Sequence, residues 1–302
     1  MSVPLPDVPG VTHRFITVRG VRLHLAEAGH QDAEPVLLLH SFPQHWYTWR
    51  YVIPLLALHY RVLALDLRGF GWSDAPRHGY SGVSLSDDVV AVLDELGLQR
   101  THVIGHDWGA WVGFITALRH PDRVSHLISV NMTHPWPPFM RLAPNLWRMW
   151  HTALMEWPPL GRFVIRRTGF TRFLLRHWVA DKQLWDRDEL DVFTDVVREP
   201  ARARAGEQVH AAYVWREIIA HPFGGRFRTA RLTVPTLLLG GDQDVVIPPS
   251  VLRGGGRNAE NMRSVVVPGC GHLMPEERPA AIANEAVAFF AAPVTPGLTA
   301  AS

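Results

Sequence analysis

The chain has 302 residues, 47% of them hydrophobic, and its 30 basic and 28 acidic side chains leave a formal net charge of only +2. That balance carries no nucleic-acid footprint: Lys182 is the only lysine, and Arg166, Arg167, Arg172 and Arg176 read as a solvated helix face. No apolar run reaches membrane-spanning length, the first ten residues hold three prolines and no apolar signal core, and Cys270 is alone. A cytoplasmic globular protein without an intrachain disulfide is expected.

Residues 12–29 predict two strands meeting at Arg19-Gly20. Residues 36–39 and 62–65 are continuous apolar runs, the pattern of strands covered on both faces, with an aromatic amphipathic helix predicted between them. Ser84-Leu85-Ser86-Asp87-Asp88 predicts a helix start with acids in its first turn, and Gly97 its stop. Residues 101–104 predict a strand, residues 110–118 a helix, and residues 124–130 a further strand. From about His134 to Phe223 the chain turns rich in Trp and Arg and is periodic like several short helices. The sheet pattern resumes at Leu232, with strands at 236–239 and 265–267, and the tail from Ala291 is expected to fray. The fold class is therefore α/β, a mostly parallel twisted sheet flanked by helices. Residues 1–133 and 226–302 form the expected core, and residues 134–225 an inserted helical cap over the strand ends, where ligands of open α/β sheets bind.

Between the strand at 101–104 and its helix stands Gly105-His106-Asp107-Trp108-Gly109. Small-x-nucleophile-x-small at that place is the pattern of a strained elbow that lifts one side chain above the sheet. The glycines are required because a Cβ would strike neighbouring backbone. The usual occupant is Ser; Asp107 instead attacks carbon as a ready-made carboxylate and forms an ester that water must cleave. Epoxide opening and halide displacement are the reactions this allows. Two later strands run into Gly240-Gly241-Asp242-Gln243-Asp244 and Pro268-Gly269-Cys270-Gly271-His272, giving the chain order Asp107, Asp244, His272. Asp242 is a poorer match for the acid than Asp244. His106 reads as a packing residue, and Asp66 and Asp74 as structural. No metal-ligand spacing or cofactor fingerprint is present, so neither a metal nor a cofactor is expected.

On these residues the chain resembles the α/β-hydrolases of the epoxide hydrolase and haloalkane dehalogenase group, and most of all the epoxide hydrolases. The resemblance covers nearly the whole chain. It is carried by the elbow, Gly241 to Asp244, Gly271-His272 and two further segments. These are His40-Ser41-Phe42-Pro43-Gln44-His45-Trp46-Tyr47-Thr48-Trp49-Arg50 and Asp66-Leu67-Arg68-Gly69-Phe70-Gly71-Trp72-Ser73-Asp74. It implies that His272, oriented by Asp244, activates water against the Asp107 ester. The backbone N–H groups of Phe42 and Trp108 are the implied oxyanion donors, and the Phe42–Pro43 bond is expected to be cis. Ser41 departs from the family's usual Gly; its side chain either crowds the oxyanion site or adds a donor. Tyr213, with His151 at the other tyrosine position, is implied to donate the proton to the opened ring. The implied pocket includes His40, Pro43, Trp108 and Trp150.

A haloalkane dehalogenase would share the same triad, but the Asn that many of them carry after His-Gly is here Phe42. A non-catalytic hydrolase-fold receptor would lack a triad member, and none is missing. An esterase would need Ser in place of Asp107. The expected partners are a small hydrophobic aryl or alkyl epoxide and water, without nucleic acid or membrane insertion; a homodimer is left open.

Overall fold

The structure is a computed structural model that describes residues 3–213, 227, 229–254, 258, 259 and 261–292. The far cap boundary at 225 and most of the expected frayed tail lie outside the described residues. Eight strands, β1 (Thr12–Val18), β2 (Val21–Ala28), β3 (Pro35–Leu39), β4 (Arg61–Leu65), β5 (Thr101–His106), β6 (Val124–Val130), β7 (Thr236–Gly241) and β8 (Met262–Val267), form one sheet. Their order is β1-β2-β4-β3-β5-β6-β7-β8. β1 and β2 make a hairpin whose two turn residues, Arg19 and Gly20, both have positive φ, and β2 meets β4 antiparallel. All remaining pairs are parallel.

The continuous apolar runs divide by alternation. Leu37, Leu39, Leu63, Leu65 and Val103 face one core with Val89, Val92 and Phe114; Val36, Leu38, Val62, Ala64 and Ile104 face another with Ile53, Leu56 and Ile282. Each buried Leu or Ile contributes about 1.5–3 kcal/mol, and covering both faces is why no polar residue interrupts these strands. α2 (Gly82–Glu95) and α3 (Trp108–Arg119) cover the first face; α1 (Ile53–Leu56) and a later helix cover the second.

Two local expectations are corrected. The aromatic segment between β3 and β4 is not one helix but a 3-10 turn, Trp46–Trp49, followed by short α1, because Trp46 N–H is drawn to the buried Asp66 carboxylate (2.7 Å) and Pro54 starts a new turn. α2 begins earlier than Ser84. Ser81 is its cap, accepting from Ser84 N–H, and Asp87 and Asp88 lie inside the helix, where Asp88 binds Arg68.

Between β6 and β7 the described residues contribute one isolated β-bridge, Leu232 to Ala259, and otherwise helices: α4 (Phe139–Leu142), α5 (Trp150–Met155), α6 (Leu160–Arg167), α7 (Phe170–Trp178), α8 (Arg187–Val197) and α9 (Pro200–Tyr213), with 3-10 turns. This segment lies on the loops that leave the C-terminal strand ends. Ala205 sits against Gly69, His210 against Phe42, and Arg202 donates to the Gly71 carbonyl. After β8 come α10 (Met274–Glu277) and α11 (Pro279–Phe290), which completes the second core face. Arg50, nearly buried, joins three pieces of the chain. It donates to Glu276 of α10 at 2.8 Å and to Glu189 of α8 at 2.7 Å.

Candidate active site

Asp107, Asp244, His272 and the loop from His40 to Pro43 stand just beyond the C-terminal ends of parallel strands, where ligands of open α/β sheets bind, whereas His151, Trp150 and Tyr213 lie on the inserted helices. Asp107 follows β5 with φ 45° and ψ −110°, a conformation that L residues rarely adopt. The tightness that imposes it is visible on both sides. A Cβ on Gly105 would lie 2.4 Å from Ala110 N, and one on Gly109 would lie 2.1 Å from Leu39 O. The turn is pinned by Asp107 N–H donating to Val130 O at 2.9 Å.

His272 Nδ1 is 2.9 Å from Asp244 Oδ2, and its Nε2 is 3.9 Å from Asp107 Oδ1. The second distance is too long for a hydrogen bond, so the imidazole faces the carboxylate without binding it. Asp244 is held from all sides. Its Oδ1 accepts from Val246 and Ile247 N–H at 2.7 and 2.8 Å, and its Oδ2 also accepts from Asn131 Nδ2 at 2.9 Å. With Oδ2 as acceptor, the His272 proton sits on Nδ1 and Nε2 keeps its lone pair for the Asp107 side. Burial pulls the His272 pKa down, but the Asp244 and Asp107 charges and the hydrogen bond to Asp244 reverse it, and the net shift is upward. Burial pushes the Asp107 carboxyl above its ordinary value, against the pull of His272, Ser41 and the Trp108 N–H.

The Ser41 hydroxyl donates to Asp107 Oδ2. The Trp108 N–H also faces the Asp107 carboxylate and favours its ionised form. The Phe42–Pro43 bond is cis, and Phe42 and Pro43 are buried beside the elbow. His40 stands behind this loop instead of lining a pocket. Its Nδ1–H donates to Ser41 O at 2.9 Å and its Nε2 accepts from Leu67 N–H at 3.0 Å, so it ties two loops together as a neutral ring, and burial lowers its pKa.

The helical segment supplies the opposite wall. Tyr213, 6% exposed, stands edge-on to Trp108 at 4.1 Å, with its hydroxyl donating to Met132 Sδ at 3.7 Å. His151 is buried against Trp178 (5.0 Å), and Trp178 in turn lies against His272 (5.4 Å). Burial, then the neighbouring His210 and His272, push the His151 pKa down to about 3, so its ring is neutral and able to donate a hydrogen bond. Trp150 is not part of this wall. One residue round the helix from His151, it is 42% exposed and packs on Phe170 and Phe173.

Four residues that the sequence did not single out for the site belong to this arrangement. Asn131 (φ 52°) bridges Asp244 and the Gly271 carbonyl. His210 packs on both Phe42 and Trp108, and Trp178 takes the place expected of Trp150. Glu277 accepts from Gly271 N–H and Ala180 N–H, fixing the His272 loop and the helical segment to one carboxylate. His106, expected to pack, donates from Nε2 to the His272 carbonyl at 2.7 Å. Among the described residues no group of three His, Cys, Asp or Glu is placed to hold a metal ion. No described helix is long and apolar enough to cross a membrane.

The sequence model of the α/β-hydrolase fold family matches residues 34–279. The chain is 30% identical over 295 residues to a soluble epoxide hydrolase from Corynebacterium sp. strain C12, covering 93% of this chain and 98% of that one. Among solved structures it is similar to Cfl2 from Burkholderia cenocepacia (31% identity, TM-score 0.79, 93% and 96% covered). It is also similar to a putative epoxide hydrolase from Pseudomonas aeruginosa (27% identity, TM-score 0.81, 95% and 98% covered).

Proposed function

The chain belongs to the epoxide hydrolase family of α/β-hydrolases, and from that premise we propose that it converts a hydrophobic aryl or alkyl epoxide to the vicinal diol through an ester on Asp107. The observation that carries this reading is the carboxylate at the elbow, faced but not bound by His272 Nε2 at 3.9 Å. A serine enzyme would need its nucleophile and base in hydrogen-bond contact. Here the gap leaves the carboxylate unquenched and the base ready for a water.

In the first step an Asp107 oxygen forms a bond to a ring carbon while that carbon's bond to the epoxide oxygen breaks. The resulting alkoxide takes a proton from the Tyr213 hydroxyl, and neutral His151 donates a hydrogen bond to the same oxygen. In the second step His272 Nε2 takes a proton from water, and the hydroxide adds to Asp107 Cγ. The Asp244 carboxylate stabilises the imidazolium. The developing oxyanion accepts from Ser41 Oγ and from the Trp108 and Phe42 N–H groups. Collapse expels the second diol oxygen, which takes the proton back from His272, and the carboxylic acid left on Asp107 returns its proton to the Tyr213 phenolate, restoring both residues. The aromatic wall of Trp108, Trp178 and Tyr213 suits an apolar substrate. In this reading residues 134–225 are the cap, and residues 1–133 with 226–302 the core.

A single turnover in heavy-oxygen water, with enzyme in excess over an aryl epoxide, tests the route. The label is expected in the Asp107 carboxylate and not in the first diol formed, and Asp107→Asn should lower diol formation by at least about a thousandfold. Label appearing directly in the diol would rule out the ester. Halide release from haloalkanes without any diol would assign the triad to a dehalogenase.

A further inference from the structure

An amphipathic helix in a globular protein turns its apolar stripe inward and its polar face to water. The stretch through α5 departs from this. His151, Thr152 and Met155 are buried, yet Trp147, Trp150, Leu154 and Trp157, at spacings of three, four and three residues, form a second apolar stripe that faces out. Trp147 is 67% exposed. Leu160 and Phe163 on the next helix, α6, are exposed too, the latter 56% exposed, with a shallow apolar trough of about 490 Å³ beside them, rimmed by Arg162, Arg166 and Arg167. Single exposed apolar residues need no explanation, whereas a continuous run of this size marks a contact surface.

Its charge selects the occupant. Residues 139–176 hold seven arginines and one acid, Glu156, which is itself buried. Arg162 and Arg172 pair with Glu207 and Asp191. Among the described residues, Arg141, Arg148, Arg166, Arg167 and Arg176 have no carboxylate partner. A second copy docked on this face about a two-fold axis would bring one arginine field against the other. Exposed tryptophans interleaved with guanidinium groups that have no carboxylate partner, three of which spend part of their donors on Arg253, Val245 and Arg198 carbonyls, match an anionic bilayer surface instead: indole and leucyl side chains enter the headgroup layer and arginines meet lipid phosphates.

We propose that the outer face of residues 139–176 docks the protein peripherally on anionic lipid membranes. The contact lies on the bilayer surface and is separate from the chemistry at Asp107. Sedimentation of the full chain with phosphatidylcholine vesicles, with and without phosphatidylglycerol, tests this. Binding should rise with phosphatidylglycerol and fall as salt is raised. The double variants Trp147→Ser/Leu160→Ser and Arg166→Gln/Arg167→Gln should each weaken it about tenfold or more, with melting temperature and turnover of a dissolved epoxide unchanged. No partition into anionic vesicles, or partition that both variants leave intact, would overturn the proposal. Self-association abolished by Trp147→Ser/Leu160→Ser would overturn it in favour of a second copy.

Discussion

Asp107 is held in a backbone conformation that costs about 1–3 kcal/mol, and Gly105, Gly109 and the Val130 carbonyl hold it there. The strain presents both carboxylate oxygens: one is met by Ser41, and the other faces His272. If the Ser41 hydroxyl supports the oxyanion, Ser41→Ala should lower kcat about tenfold to a hundredfold with KM nearly unchanged. A drop in KM affinity alone would make Ser41 a packing residue. The raised pKa of His272 has two consequences of opposite sign. The fold favours the charged ring, so its contribution to stability is full below the ordinary value of 6.5 and is lost as pH rises through the folded value. The base, however, works only when neutral. Because the ester removes the Asp107 charge that helps raise the ring's pKa, the acid limb of kcat should lie below the pH at which His272 titrates in the free enzyme. His272→Gln should narrow the difference in melting temperature between mildly acidic and alkaline solution, and an unchanged difference would refute the linkage.

At the level of elements, α2 shows how a boundary is set. Three serines, Ser81, Ser84 and Ser86, compete in the sequence; the structure caps with Ser81 because its hydroxyl reaches Ser84 N–H, while Ser86 turns inward to Thr116. Ser81→Ala should cost about 1 kcal/mol in urea denaturation, and Ser84→Ala much less. The strands were legible because burial on both faces enforces unbroken apolar runs. The grouping of Asp107, Asp244 and His272 was legible because each stands in a glycine-flanked turn after a strand. Asn131 was not, since nothing local announces a side chain whose partner is 113 positions away. Trp150 misled for another reason. A helix that is apolar on two faces does not reveal which one turns inward, and one residue of rotation separates buried His151 from exposed Trp150.

Across the whole molecule, the helical segment and the loop of the candidate base are fastened together. His272 N–H donates to the Trp178 carbonyl, Glu277 holds Ala180 and Gly271, and Arg50 binds Glu189 and Glu276. Removing one partner of the buried Arg50–Glu276 pair, as in Arg50→Met, should cost about 3–5 kcal/mol in denaturant unfolding. The same fastening limits how traffic reaches Asp107. A segment that swung open like a door would drag the histidine off its aspartate at each cycle and have to rebuild the triad before every turnover. The stretch around Trp178, Ala180 and Glu189 is therefore expected to stay seated while reactants come and go. In hydrogen exchange, the amides of Ala180 and His272 should stay as protected during turnover as at rest. Faster exchange of both while substrate is consumed would mean that the door swings after all.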